Sequence, residues 1–108
     1  MMNIIDNRRS VPRISAMFSV DVCGDSGNFA VDLGTGGLRL VSRTPLQEDE
    51  IEFRLHLPSD EALTIVGRPV WQQQMSANGK TIAGITFSTG QDKARETIRT
   101  WMENYRPN

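Results

Sequence analysis

From Ile14 the chain alternates with period two: Ile14, Ala16, Phe18, Val20 and Val22 share one face, and Ser15, Met17, Ser19 and Asp21 share the other. That period belongs to a half-buried strand, because successive side chains of extended backbone point to opposite faces. "GDSG" at 24–27 is turn chemistry, after which Phe29, Val31 and Leu33 resume the alternation with Asp32 on the wetter face, predicting a hairpin with Phe29, Val31 and Leu33 inward. "GTGG" at 34–37 reverses or kinks the chain into "LRLVS", which predicts a strand carrying Leu38 and Leu40 inward. "TPLQEDE" reads as a loop. "IEFRLHLP" then alternates cleanly, with Ile51, Phe53, Leu55 and Leu57 inward and Glu52, Arg54 and His56 outward. "ALTIVGRPVWQQQ" is a long strand interrupted by Gly67 and Pro69, which predicts a bulge or an edge position. "SANGK" is a turn and "TIAGITF" a sixth strand.

The period then changes. Ala94, Ile98, Trp101, Met102 and Tyr105 fall at i, i+4, i+7, i+8 and i+11, one stripe of a helix, with Thr89 and Asp92 spaced as a capping box. Six antiparallel strands followed by one amphipathic helix predict an all-β fold with a helical cap: a six-stranded antiparallel barrel closed at one end by the C-terminal helix. The expected organisation is a flexible arginine arm over residues 1–13 and the barrel with its helix over 14–108.

A chain of 108 residues holds one core. Its net charge of -1 argues against adsorption to a nucleic-acid polymer or an anionic membrane, which select for a positive field over a whole face. Any anion site is therefore local. Of the 12 basic residues only Lys80 and Lys93 are lysine, a bias either towards the planar fork that grips phosphates and guanine edges or simply of genomic composition. Cys23 and His56, each single, exclude an internal disulfide and leave too few soft ligands for structural zinc, so no metal is expected. With no apolar run of membrane-spanning length and no secretory leader, the expected setting is the reducing cytoplasm, without membrane insertion. Conventional catalysis lacks a Ser/His/Asp set, a second histidine and a Walker-type loop, so the chain reads as a non-enzyme without a cofactor. Cys23 on a predicted strand reads as an inert thiol and His56 as a solvated strand residue.

Two stretches remain. Arg8, Arg9 and Arg13 form an Arg-x-x-x-Arg pair with an extra arginine before it, on a stretch that Pro12 keeps extended. Alone, this is a solvated basic tail. "DLGTGG", Asp32 to Gly37, puts glycines at 34, 36 and 37, which permit positive φ and close approach of backbone N–H groups to an anion or flat ring. Alone, this is a tight hairpin turn. Together and in this order, followed by "GRPVW", "IAGITF" and a closing helix with Trp101, they resemble the PilZ domain family over essentially the whole chain, Arg8 to about Tyr105.

The resemblance implies binding of the bacterial second messenger cyclic dimeric GMP, and a small receptor that signals in trans to an unidentified downstream protein. In that pattern Arg9 and Arg13 supply forks for phosphate oxygens and the guanine O6 and N7 acceptors. Asp32 is the acceptor for guanine N–H groups, while Gly36, Gly37 and their neighbours leave room for the ring. Arg8 resembles the extra arginine of members that bind an intercalated ligand dimer. Trp71, following the Gly67–Pro69 irregularity, either faces a base or is a partly buried barrel tryptophan; Trp101 by its helical spacing is core. The departure is Gly34, where the family pattern has serine; the missing hydroxyl removes a hydrogen bond of about 0.5–1.5 kcal/mol. A PilZ-like protein-interaction module that binds no nucleotide is the alternative. A barrel for single-stranded nucleic acid ranks last, since it would want exposed aromatics and positive charge.

Overall fold

The computed structural model describes residues 13–22, 24–59 and 61–105. In it the alternating segments form β1 (Arg13–Ile14), β2 (Phe18–Val22), β3 (Asp25–Gly34), β4 (Gly37–Ser42), β5 (Ile51–His56), β6 (Ala62–Gln74) and β7 (Thr81–Phe87), and the helix α1 spans Asp92–Glu103. All pairings are antiparallel, in the order β3-β2-β5-β6-β7-β4, and β4 pairs back onto β3. The six-stranded barrel is thereby closed and capped by one helix, as the alternation predicts. The two-residue β1 continues β2 along the same edge of β3, pairing Arg13 with Gly34 and Ile14 with Leu33.

The core is one cluster that takes Phe18 and Val20 from β2, Leu38 and Leu40 from β4, Ile51, Phe53 and Leu55 from β5, and Ile65, Ala83, Ile85 and Phe87 from β6 and β7. These are the positions that period two sends inward. On β3 the expected faces are wrong for Phe29 and Val31. Asn28 and Ala30 are buried instead, and Phe29 lies half-buried on the outer face, with the Lys80 ammonium 5.5 Å from its ring centre. The cause is a bulge: the register with β4 shifts between Ala30 and Asp32, leaving Val31 as the extra residue, so Ala30 and Leu33 both point inward although three positions apart. Buried Asn28 is satisfied locally; its side-chain oxygen accepts from Arg43 N–H at 3.0 Å and its amide donates to Asp25 C=O at 2.8 Å.

The irregularity expected around Gly67 and Pro69 is a corner. Residues 62–67 of β6 pair with β5 and residues 67–74 with β7, meeting at Gly67, where a β-carbon would lie 2.6 Å from Ile85 Cγ2 and 3.1 Å from Thr86 C=O. The register with β7 then slips between Pro69 and Trp71, which makes Val70 a bulge residue. Beyond Gly67 β6 has only one strand neighbour, the setting in which proline is tolerated. The Gln72 side chain ties the preceding loop there, accepting from Leu46 N–H at 3.0 Å and donating to Leu46 C=O at 2.9 Å.

The helix buries Ala94 and Ile98, and Trp101 meets Phe18 edge-on with ring centres 5.4 Å apart, so the predicted stripe faces the barrel. The Thr89–Asp92 capping box does not form. The N-cap is Gln91, which makes no side-chain cap bond; its side-chain oxygen instead accepts from Val66 N–H at 3.0 Å and ties the helix start to β6. Gly90 at φ 84 makes the turn into the helix. Among the described residues no helix is long and apolar enough to cross a membrane.

Candidate ligand-binding cleft

Strand register brings the second sequence motif to the outer wall of the barrel. Asp32 on β3 pairs with Arg39 on β4, Arg39 with Gly84 on β7, and Gly84 with Trp71 on β6. Four strands thus contribute one continuous row, Asp32–Arg39–Gly84–Trp71, and two residues further along β4 and β7 lies a second row, Gly37–Thr86–Arg68. All of these residues except Arg68, together with Gly36 and Val70, line an open cleft of about 540 Å³.

Each member is there for a local reason. Trp71 follows the Val70 bulge, which re-aims the strand, and its indole lies across β7 directly above Gly84: a β-carbon at Gly84 would collide with the indole nitrogen and lie 2.7 Å from Cε2. Trp71 nevertheless stays 45% exposed and Val70 62%. Trp71 is thus an exposed residue of the outer wall and not part of the core. Asp32 projects from the outer face of β3, with its carboxylate 3.9 Å from the Arg39 guanidinium and 18% of its side chain exposed. That separation is an ion pair too long for a hydrogen bond, so the guanidinium is not locked onto the carboxylate.

The motif glycines separate into different roles. Positive φ among the described residues occurs at Gly24, Gly79 and Gly90, so the Thr35–Gly36 turn does not use the conformation for which glycine is the usual choice. Gly37 is a close-approach glycine: a β-carbon there would collide with the Ile85 carbonyl oxygen and lie 3.3 Å from Thr86 Cα. Gly36 faces open space and its carbonyl accepts from Phe87 N–H at 3.0 Å. Gly34 is buried at the end of β3, opposite Arg13.

The arginine motif is described only in part. The Arg13 backbone enters the barrel wall beside Gly34, two residues from Asp32, which brings the end of the first motif to the second; the Arg13 side chain, Arg8 and Arg9 lie outside the described residues, as does Cys23. His56 stands elsewhere, on β5, with Nε2 2.9 Å from the Asp21 carboxylate. Arg39, Gly84 and Thr86 are cleft residues that sequence reasoning missed. Their only signal is register: each is an outward position on a strand adjoining a recognised one, and strand neighbours are not legible before the sheet is closed.

A family model described as PilZ domain matches residues 7–104. The chain belongs to the PilZ domain family. PilZ domains are generally receptors for cyclic dimeric GMP, binding and adaptor modules rather than enzymes. Among solved structures, the chain is similar to the Bacillus subtilis inhibitor of motility (MotI/DgrA), with a TM-score of 0.66 at 15% identity, over 92% of this chain and 53% of that one. The likeness is one of fold, and the chain spans about half the length of that protein. No curated protein sequence matches the chain. On the PilZ barrel described above, the Asp-x-Gly-x-x-Gly turn forms one wall of the cleft and Trp71 the other.

Proposed function

We propose that this PilZ domain binds cyclic dimeric GMP and acts as a small receptor that passes the signal to a protein partner. The observation that carries the reading is the convergence of Asp32, Gly36, Gly37 and Trp71 on one cleft, with the Arg13 backbone entering beside Gly34. The cleft combines a carboxylate for guanine N–H groups, an aromatic plane for stacking a base, and glycines that admit the ring to the backbone. Arg9 and Arg13 supply the forks for phosphate and guanine acceptors, and Arg8 recruits a second ligand molecule. The effect on the partner comes from closure of residues 1–13 over the ligand, which changes the surface beside the cleft. No covalent step is part of this reading.

Calorimetric titration of the purified protein with cyclic dimeric GMP tests it, since affinity and stoichiometry come from one experiment. Saturable binding with two nucleotides per chain supports the receptor with its Arg8 site, and one per chain supports the receptor without it. No binding at any accessible concentration favours the second reading, a PilZ domain that only contacts protein. Exposed Val70, with 62% of its surface open at the cleft margin, supports that second reading, as does the serine hydroxyl missing at Gly34.

A further inference from the structure

We infer that Arg39 is the residue by which the cleft distinguishes guanine from adenine, an assignment that rests on the receptor reading above. A guanine presents three groups in sequence along its pairing edge: the 2-amino N–H, the N1–H and the O6 acceptor. Asp32 can take only the donors, because a carboxylate accepts and does not donate. Forks that reach O6 from its N7 side leave its pairing-edge lone pair open, and a donor to that lone pair must stand beside the carboxylate in the plane of the base.

Arg39 meets both requirements. It is directly opposite Asp32 in the β3–β4 register, so its guanidinium leaves the same face of the sheet one strand away, at about 4.8 Å. Its terminal nitrogen lies 3.9 Å from the Asp32 carboxylate, close enough for the carboxylate to orient it and too far to occupy its donors. Half of the side chain, 49%, is exposed, and the residue lines the cleft. On its other side the row continues to Gly84, which has no side chain, and then to the Trp71 indole lying across Gly84. Acceptor, donor and aromatic plane therefore stand in one line across four strands, in the order a guanine needs to be held at its pairing edge and stacked on its face.

Adenine inverts the pattern. Its 6-amino group is a donor where guanine has O6, so the Arg39 guanidinium would meet it donor to donor, and its N1 is an acceptor facing the Asp32 carboxylate. A site that hydrogen-bonds a particular polar group discriminates against an analogue without it, because the partner that the bound base covers is left unpaired. Arg39 is thus a second reader of the same edge, separate from the arginines of residues 8–13.

The test is calorimetric titration of the wild type, Arg39→Ala and Arg39→Gln with cyclic dimeric GMP and, separately, cyclic dimeric AMP, with thermal unfolding of each variant measured in parallel. The expected result is that Arg39→Ala binds the guanine ligand about tenfold or more weakly, the loss of one good base contact. Its binding of the adenine ligand should be no weaker than that of wild type, so that the ratio of the two affinities falls. Arg39→Gln keeps an N–H donor without the charge and should recover part of the preference for guanine. Its partial recovery also carries the comparison if the alanine variant unfolds early. Equal weakening with both ligands would make Arg39 a general anion contact and overturn the assignment, as would an unchanged ratio. A wild type that binds neither ligand overturns the receptor reading itself, and the assignment with it.

Discussion

The indole of Trp71 lies over Gly84, in the space a β-carbon would occupy: that carbon would lie 2.7 Å from Cε2 and 2.9 Å from Cδ1. Glycine at 84 thus leaves room for the indole over β7 while Trp71 stays 45% exposed, an arrangement open to stacking. Gly84→Ala should lift or rotate the indole. Because Trp71 is half-exposed and free to swing outward, the fold should lose little, within about 1 kcal/mol. Stacking of a base on an aromatic ring is worth about 1–3 kcal/mol, so the affinity for cyclic dimeric GMP should fall roughly tenfold. Tryptophan fluorescence, thermal unfolding and calorimetry together check this; undiminished binding by Gly84→Ala would show that Trp71 is not a platform for the ligand.

The two adjacent glycines of the turn should respond oppositely to the same substitution. At Gly37 a methyl group would press on the Ile85 carbonyl oxygen and lie 3.3 Å from Thr86 Cα, and both are backbone within a paired strand that cannot yield cheaply. Overpacking of this kind costs about 1–3 kcal/mol. At Gly36 the same group meets open space and φ is not positive, so Gly36→Ala should stay within about 0.5 kcal/mol of wild type. Denaturant midpoints of the two variants measure the contrast. A destabilised Gly36→Ala beside a stable Gly37→Ala would mean that the turn is held by something other than close approach to β7.

The difference between those glycines marks where the sequence stops being readable. Alternation gave the inward positions correctly for Phe18 and Val20 of β2 and for β4 and β5, because burial on one face of extended backbone leaves a period-two trace. It failed at Phe29 and Val31, since one inserted residue at the Val31 bulge reverses the faces on its two sides and leaves no compositional mark. The helix stripe was legible and its start was not: Gln91 is diverted to Val66 N–H, a contact 25 positions away that no local capping rule contains. In the cleft, Asp32, Gly36, Gly37 and Trp71 could be named from motif and strand irregularity, whereas Arg39 and Gly84 could not. Their membership comes from β4 and β7 lying between β3 and β6, a fact of barrel closure.

Gly34 takes the place of a serine in the family pattern, and its backbone stands outside the positive-φ glycines. A residue with a side chain is therefore compatible with the conformation, and Gly34→Ser restores the hydroxyl without backbone strain. The expected outcome is an unfolding midpoint close to wild type and binding of cyclic dimeric GMP that is tighter, by up to about tenfold, from one added hydrogen bond of about 0.5–1.5 kcal/mol. A large drop in the midpoint would show that glycine is there for the tight fit beside Arg13, where Gly34 is buried.

The arginines and Asp32 should separate binding from stability. The Asp32–Arg39 pair is 3.9 Å apart with side chains 18% and 49% exposed, and pairs of this kind contribute about 0–1 kcal/mol, so the loss of this pair in Asp32→Ala should move the unfolding midpoint little. The same substitution removes the acceptor for two guanine N–H groups, and charged hydrogen bonds are worth about 1.5–3 kcal/mol, which puts the loss of affinity at roughly tenfold to a hundredfold. Arg9→Ala and Arg13→Ala should behave alike in calorimetry, and Arg13→Lys should not rescue, because an ammonium is a point charge and cannot replace a bidentate fork. Arg8→Ala should retain the first ligand molecule and lower the stoichiometry from two towards one. If Arg13→Ala binds cyclic dimeric GMP as tightly as wild type, the Arg-x-x-x-Arg stretch is not part of the site, and the receptor reading falls with it.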